Sequence, residues 1–175
     1  MACIFLDRDG VINISEVRNG KPYAPKTFSD FKLHKNIEKS LYVIKSKGFY
    51  ISIFTNQPDV NIYSNMKKEI EKMHQYLMDN FPIDNIEVCY HNDKYNCNCR
   101  KPKIGMLINA AKKLKVNLNN SIVLGDRWSD IEAGQNAGCK CYFINYQYKE
   151  KKPQQPYTEV LSLEHFSQIL KKKQF

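Results

Sequence analysis

Residues 3–10 read CIFLDRDG. Four apolar or thiol residues are followed at once by Asp7, Arg8, Asp9 and Gly10, the pattern of a short buried strand that stops where charge begins. The same punctuation recurs along the chain. Residues 49–54 (FYISIF) are β-branched and aromatic, and they run into Thr55 and Asn56. Residues 86–89 read as a third strand, 121–124 as a fourth leading into Gly125-Asp126-Arg127, and 141–144 as a fifth. Between the strands the apolar spacing becomes helical. It does so at 36–47 through Ile37, Leu41 and Ile44, and at 63–80 through Met66, Ile70, Met73 and Leu77. Further helices are expected at 105–114, at 130–137 before Gly138, and at 162–172. Residues 13–34 and 147–156 carry prolines and polar residues and read as loops.

Strands that alternate with helices form right-handed βαβ units. The expected fold is therefore α/β, a Rossmann-like three-layer sandwich with a mostly parallel central sheet. In such sheets ligands sit outside the carboxyl ends of the strands. The 175 residues suit one domain, 1–175, with ordinary hydrophobic (42%) and charged (26%) fractions. No apolar run approaches the ~20 residues of a membrane span. The N-terminal apolar stretch ends at Leu6, unlike a signal peptide, so the expected location is cytoplasmic. With 27 basic and 18 acidic residues the net charge is +9, which suits nucleic acid, an anionic surface or a phosphorylated small molecule. Six cysteines without a secretory signal point to metal binding or burial rather than to disulfides.

The strand ends collect the chemistry. Asp7 and Asp9 follow the first strand, Thr55 and Asn56 the second, Arg100-Lys101-Pro102-Lys103 the third, and Asp126, Arg127 and Asp130 the fourth. Singly, an Asp after a strand is a turn residue or helix cap. Jointly, the carboxylates are hard oxygen ligands suited to Mg²⁺, and a hydroxyl and a lysine could surround a phosphoryl group. A carboxylate can also serve as nucleophile and form an aspartyl-phosphate.

FLDRDGVIN, FTNQ, CRKPKIGM and GDRWSDIEAG, in that order, resemble the haloacid dehalogenase (HAD) phosphohydrolase superfamily from Phe5 to about Ile144. The resemblance implies that Asp7 is the nucleophile and Asp9 the general acid and base. It implies Mg²⁺ ligation by Asp7, Asp9 (through its main-chain carbonyl) and Asp126. Thr55 and Lys101 match the groups that bind the phosphoryl oxygens, with Lys103 as the weaker candidate for the lysine. Asp130 matches a supporting acid.

Cys89-x-His91 and Cys97-x-Cys99 place three thiols and an imidazole within eleven residues, a tetrahedral donor set for structural Zn²⁺. The competing reading makes Cys89 a buried strand residue and His91 a surface one. Cys3, Cys139 and Cys141 read as small apolar residues. The CxH…CxCRKP loop resembles the zinc-bearing branch that contains the heptose-1,7-bisphosphate 7-phosphatases and histidinol-phosphatases. That branch has no large cap domain, and a small zinc-binding loop, here about 89–101, forms one wall of the site. It implies substrate contacts from Asn56, Arg100 and Arg127. Two loops depart from it: TNQPDVNIYS replaces the usual TNQSGIARG, and residues 13–25 lack the aspartate and histidine of the heptose enzymes.

The expected activity is Mg²⁺-dependent hydrolysis of a phosphomonoester, with the position-7 phosphate of a heptose bisphosphate favoured and Arg100 and Arg127 taking the second phosphate. Histidinol phosphate, another small sugar phosphate or a nucleic-acid 3′-phosphate is the alternative substrate. A zinc-containing nucleic-acid-binding module is the distant alternative, supported by the basic runs at 149–152 and 171–173. Against it, the other lysines are scattered along helices and no aromatic recognition signature stands out, so no nucleic-acid partner is expected. The partner is a small phosphorylated metabolite, and a monomer suffices.

Overall fold

The computed structural model describes residues 1–62 and 65–172. A six-stranded sheet forms its centre, built from β1 (Cys3–Leu6), β4 (Tyr50–Asn56), β5 (Asn85–Cys89), β6 (Ile122–Gly125), β7 (Lys140–Ile144) and β8 (Thr158–Val160). Every neighbouring pair is parallel, in the order β5-β4-β1-β6-β7-β8. A separate antiparallel hairpin joins β2 (Glu16–Arg18) to β3 (Lys21–Tyr23). Among the described residues five α-helices complete the fold: α1 (Ile37–Ser46), α2 (Met66–Asn80), α3 (Gly105–Leu114), α4 (Trp128–Asn136) and α5 (Leu163–Lys172).

The strand β1 shows why the sheet needs helices on both sides. All four of its residues are fully buried. Ile4 and Leu6 join a cluster with Leu41 and Ile44 of α1 and with Phe166 and Leu170 of α5. Cys3 and Phe5 point the other way, among Met106, Leu107 and Ala110 of α3 and Ile131 of α4. Successive side chains of a strand face opposite sides, so an unbroken apolar run can be satisfied only between two helical layers. The three-layer α/β architecture expected from the alternation is the one observed.

Two elements differ from the sequence expectation. Residues 13–34 contain the β2–β3 hairpin rather than continuous loop, and β8 adds a sixth strand at the sheet edge. Each of these three strands is three residues long. The hairpin strands are largely exposed and β8 buries only Val160, so neither carries an apolar pattern. The second helix begins at Met66, and the expected start at position 63 lies outside the described residues, as does part of the basic run 171–173.

The chain fills one flank of the sheet with β4 and β5, then crosses to β6 and the other flank. The topological switch therefore falls at β1, between β4 and β6, and the crevice of a doubly wound sheet opens there. No helix among the described residues is long and apolar enough to cross a membrane.

Candidate active site

Asp7 leaves the carboxyl end of β1, and its backbone N–H still bonds the Leu124 carbonyl of β6 at 3.0 Å. Its Oδ1 accepts the Arg8 N–H at 2.7 Å and lies 2.8 Å from Nζ of Lys101. Lys101 Nζ also lies 2.6 Å from Asp130 Oδ1 and donates to the Phe54 carbonyl at 3.0 Å. The Lys101 side chain is 3% exposed. Lys103 points elsewhere, donating to Asn96 Oδ1 and to the Cys97 carbonyl.

Asp126 follows β6. Its Oδ2 accepts the Tyr148 hydroxyl at 2.8 Å, while its buried Oδ1 has no hydrogen-bond partner among the described residues. Gly10 makes room for it. With φ at +88°, Gly10 occupies the left-handed region, and a Cβ there would sit 2.0 Å from Asp126 Oδ2. Asp7, Asp126 and Asp130 bring carboxylate oxygens within 4.8 Å of one another. Asp130 enters this cluster from the first turn of α4, where its Oδ2 also accepts the Arg127 N–H at 2.8 Å. The sequence reading placed Asp130 only in support.

Asp9 is held apart from that cluster. Its carboxylate accepts from Arg8 Nε and NH2, from Asn13 Nδ2, and from Gln57 Nε2 at 2.6 Å. Every one of these partners is a donor, so both Asp9 oxygens act as acceptors. Arg8 is fully buried and its NH1 meets His74 Nε2 of α2 at 3.0 Å. Burial, helped by the Arg8 charge, holds the His74 imidazole down at about 3, so it stays neutral beside the guanidinium. Gln57 also donates to the Thr55 hydroxyl at 2.8 Å. Arg8, Gln57 and His74 were not picked out from the sequence. Gln57 at least adjoins Thr55 in the TNQ motif, whereas His74 reads as one more residue of an amphipathic helix.

The electrostatics follow from crowding. Burial, then the charge of Asp130, pushes the Asp7 carboxyl up to about 7 despite Lys101. Burial, then Asp7 and Asp130, drives Asp126 up as well. Burial works against the Lys101 ammonium, but Asp130 and Asp7 outweigh it and raise its pKa.

A cavity of about 460 Å³ opens over these groups. Asn56, Arg100 and Arg127 line it, with Pro22 and Tyr23 of the hairpin and Pro58 and Asp59 of the loop after β4. Both loops that depart from the family pattern thus border the cavity. Asn56 spends its amide on the Lys101 backbone, accepting from its N–H at 3.1 Å and donating to its carbonyl at 3.3 Å. Arg100 donates to Asp93 at 2.6 Å and to the His91 carbonyl, and Arg127 grips both oxygens of Glu150 at 2.8 and 2.7 Å.

Beside the cavity, Cys89, His91, Cys97 and Cys99 offer four donor atoms within 4.8 Å of one another. Cys89 Sγ lies 3.8 Å from Cys97 Sγ and 3.1 Å from Cys99 Sγ, and His91 Nδ1 lies 3.2 Å from Cys99 Sγ. Tetrahedral thiolates about a zinc ion stand roughly 3.8 Å apart, so the set is close to metal-binding spacing. Burial pushes Cys89 up to about 12. Burial also opposes ionisation of Cys97, yet hydrogen bonding, led by the Arg100 backbone, brings it down to about 6. All six cysteines are free thiols, and Cys3, Cys139 and Cys141 are buried.

Removing Lys101 strands Asp7 and Asp130 in the interior. Lys101→Met is expected to cost about 3–5 kcal/mol of folding stability near neutral pH, as for other broken buried pairs. Lys103→Met, at an exposed position, should stay within about 0.5 kcal/mol of the parent. Urea unfolding of the two variants checks the contrast, and equal losses would refute it.

The HAD-hydrolase-like family profile matches residues 98–161. The D-glycero-beta-D-manno-heptose-1,7-bisphosphate 7-phosphatase of Helicobacter pylori (strain ATCC 700392 / 26695) is 36% identical over 156 residues, covering 86% of this chain and 87% of that protein. The D-glycero-alpha-D-manno-heptose-1,7-bisphosphate 7-phosphatase of Campylobacter jejuni is 34% identical over 84% of each chain. Among solved structures, the D,D-heptose 1,7-bisphosphate phosphatase of B. bronchiseptica, complexed with magnesium and phosphate, superposes with a TM-score of 0.79 at 22% identity, covering 99% of this chain and 100% of that one. The last likeness concerns the fold, while the identity to the first two, spread over most of both chains, concerns descent. The chain belongs to the heptose-1,7-bisphosphate 7-phosphatase family of HAD-like hydrolases.

Proposed function

We propose that the protein is a Mg²⁺-dependent phosphatase that removes the position-7 phosphate of D-glycero-D-manno-heptose 1,7-bisphosphate through an aspartyl-phosphate on Asp7. The observation that carries the reading is the cluster of Asp7, Asp126 and Asp130 around Lys101, with one buried Asp126 oxygen unpaired, at the switch point of the sheet. Hard carboxylate oxygens with a vacant lone pair fit Mg²⁺. Asp7, Asp126 and the main-chain carbonyl of Asp9 would hold it. When bound it supplies positive charge to the phosphoryl oxygens.

The Asp7 carboxylate attacks phosphorus as the bond to the sugar oxygen breaks. Lys101 and the Thr55 hydroxyl hold the equatorial oxygens, and Asp9 gives a proton to the leaving alkoxide. Asp9 then takes a proton from water as the water oxygen attacks the aspartyl-phosphate, releasing phosphate and restoring Asp7. Asn13 and Gln57 hold the Asp9 carboxyl in place through the cycle. Arg100 and Arg127 receive the second phosphate, with Asn56 at the substrate's edge.

The cysteine and histidine set would hold a structural Zn²⁺ in a loop of about 89–101, fixing the direction in which Arg100 and Lys101 leave it. The same reading makes residues 1–175 one HAD-like domain that works as a monomer in the cytoplasm on a small phosphorylated metabolite.

Phosphate release against a panel of sugar phosphates and histidinol phosphate tests the substrate. The heptose bisphosphate should lead by at least about tenfold in kcat/KM. Histidinol phosphate leading by that margin would replace the sugar reading. Asp7→Asn should abolish turnover in a folded protein, and an active variant would sink the nucleophile assignment.

A pH dependence follows from Asp7. Its folded pKa of about 7 stands above the ordinary 3.8. Between those values the native chain keeps a proton that the unfolded chain has released, so this group's contribution to metal-free stability falls as pH rises through the window. Mg²⁺ takes the deprotonated carboxylate and reverses the loss. The rise in melting temperature on adding Mg²⁺ should therefore be larger at about pH 7.5 than at about pH 5. Melts with Mg²⁺ or chelator at both pH values measure it, and equal or inverted gains contradict the assignment.

A further inference from the structure

The segment after β7 reaches back over the carboxylates, although its sequence, NYQYKEKKP, is only a charged loop. We propose that Tyr148, on this segment, is a positioning residue for Asp126, holding one carboxylate oxygen so that the other faces the divalent cation. The proposal rests on the Mg²⁺-dependent reading above.

Three observations carry it. The Tyr148 hydroxyl donates to Asp126 Oδ2 at 2.8 Å. Gly10 also packs against Oδ2, where a Cβ would sit 2.0 Å from it. Oδ1 is consequently the oxygen left over, buried and without a partner among the described residues, on a carboxylate that clusters with those of Asp7 and Asp130. An oxygen in that condition is costly until a cation reaches it.

Tyr148 is itself fixed from both sides. Tyr146 donates its hydroxyl to the Gly10 carbonyl at 3.0 Å, and the Lys149 N–H bonds the Gly20 carbonyl at the hairpin tip at 2.8 Å. Glu150 takes the Arg127 fork. The hydroxyl is therefore delivered by the fold, and Asp126 reaches its cation with its rotation already arrested. Outer hydrogen bonds of this kind change metal affinity by roughly 10- to 100-fold.

Tyr148→Phe deletes the donor and keeps the ring against Tyr146, 5.6 Å away. Tyr148 is half-buried, and loss of the donor to a buried carboxylate oxygen should lower the melting temperature in chelator modestly while leaving the variant folded at the assay temperature. Calorimetric titration of the full chain with MgCl₂ should show a Kd raised about 10- to 100-fold. The Mg²⁺ concentration for half-maximal turnover should rise in step, with kcat recovered at saturating Mg²⁺. A variant that binds Mg²⁺ as tightly as a binding-competent parent overturns the role of Tyr148 alone. So does a kcat loss that saturating Mg²⁺ does not restore. A parent that binds no Mg²⁺ overturns the metal reading, and this proposal with it.

Discussion

Three carboxylates, Asp7, Asp126 and Asp130, lie buried within 4.8 Å of one another, and one ammonium, Lys101, stands between two of them. Like charges at this spacing in a protein interior repel by several kcal/mol even when screened by an effective dielectric of about 20. One lysine offsets part of that, and the raised Asp7 and Asp126 pKa values mark the remainder. The site is thus short of positive charge by construction. That shortage favours the divalent cation proposed above, which would supply the positive charge that a dianionic phosphoryl group needs.

Most of the fold can be understood as the means of enforcing this crowding. Parallel strands buried on both faces give three adjacent strands, β4, β1 and β6, whose ends stay fixed relative to one another. Asp7 and Asp126 are carried by neighbouring strands, and Asp130 by the first turn of the helix that follows β6. Lys101 alone comes from irregular chain, and that stretch is the most elaborately tied. Asn56 at the end of β4 pairs with both polar groups of its peptide, and the four-donor thiol and imidazole set lies immediately before it. A lysine on a free loop would lose much of its rotamer entropy in reaching two buried acids. Anchoring its backbone removes part of that cost in advance.

The sequence discloses those parts that are local. A strand buried on both faces must be continuously apolar, so CIFL, FYISIF and their successors mark their own ends, and the carboxylates at those ends follow. The Cys89-x-His91…Cys97-x-Cys99 spacing is equally local, and the structure gathers those four residues. The β2–β3 hairpin and β8 leave no such mark, since strands of three mostly exposed residues need no apolar pattern to pair. Tyr148 is the clearest case of a residue that sequence reasoning could not reach. Its meaning depends on an oxygen 22 positions earlier and on a glycine 138 positions earlier. Asp130 is intermediate, because its distance from Asp126 is legible while its approach to Lys101 is tertiary.

The net charge of +9, which at first suggests a nucleic-acid surface, looks different at the cavity rim. Each rim arginine already has an acid of its own, but the two pairs are not alike. Asp93 is 88% exposed, so its contact with Arg100 is a surface ion pair worth about 1 kcal/mol or less. Glu150 is 17% exposed and grips Arg127 through both oxygens, the fork geometry that makes arginine pairs strong. An anion arriving at the cavity displaces Asp93 at little cost and meets much greater resistance at Glu150. The same Arg127–Glu150 contact also anchors the segment that carries Tyr148 to Asp126. Arg127 is therefore coupled to the carboxylate centre through the chain itself, while Arg100 remains the readily released cation of the rim.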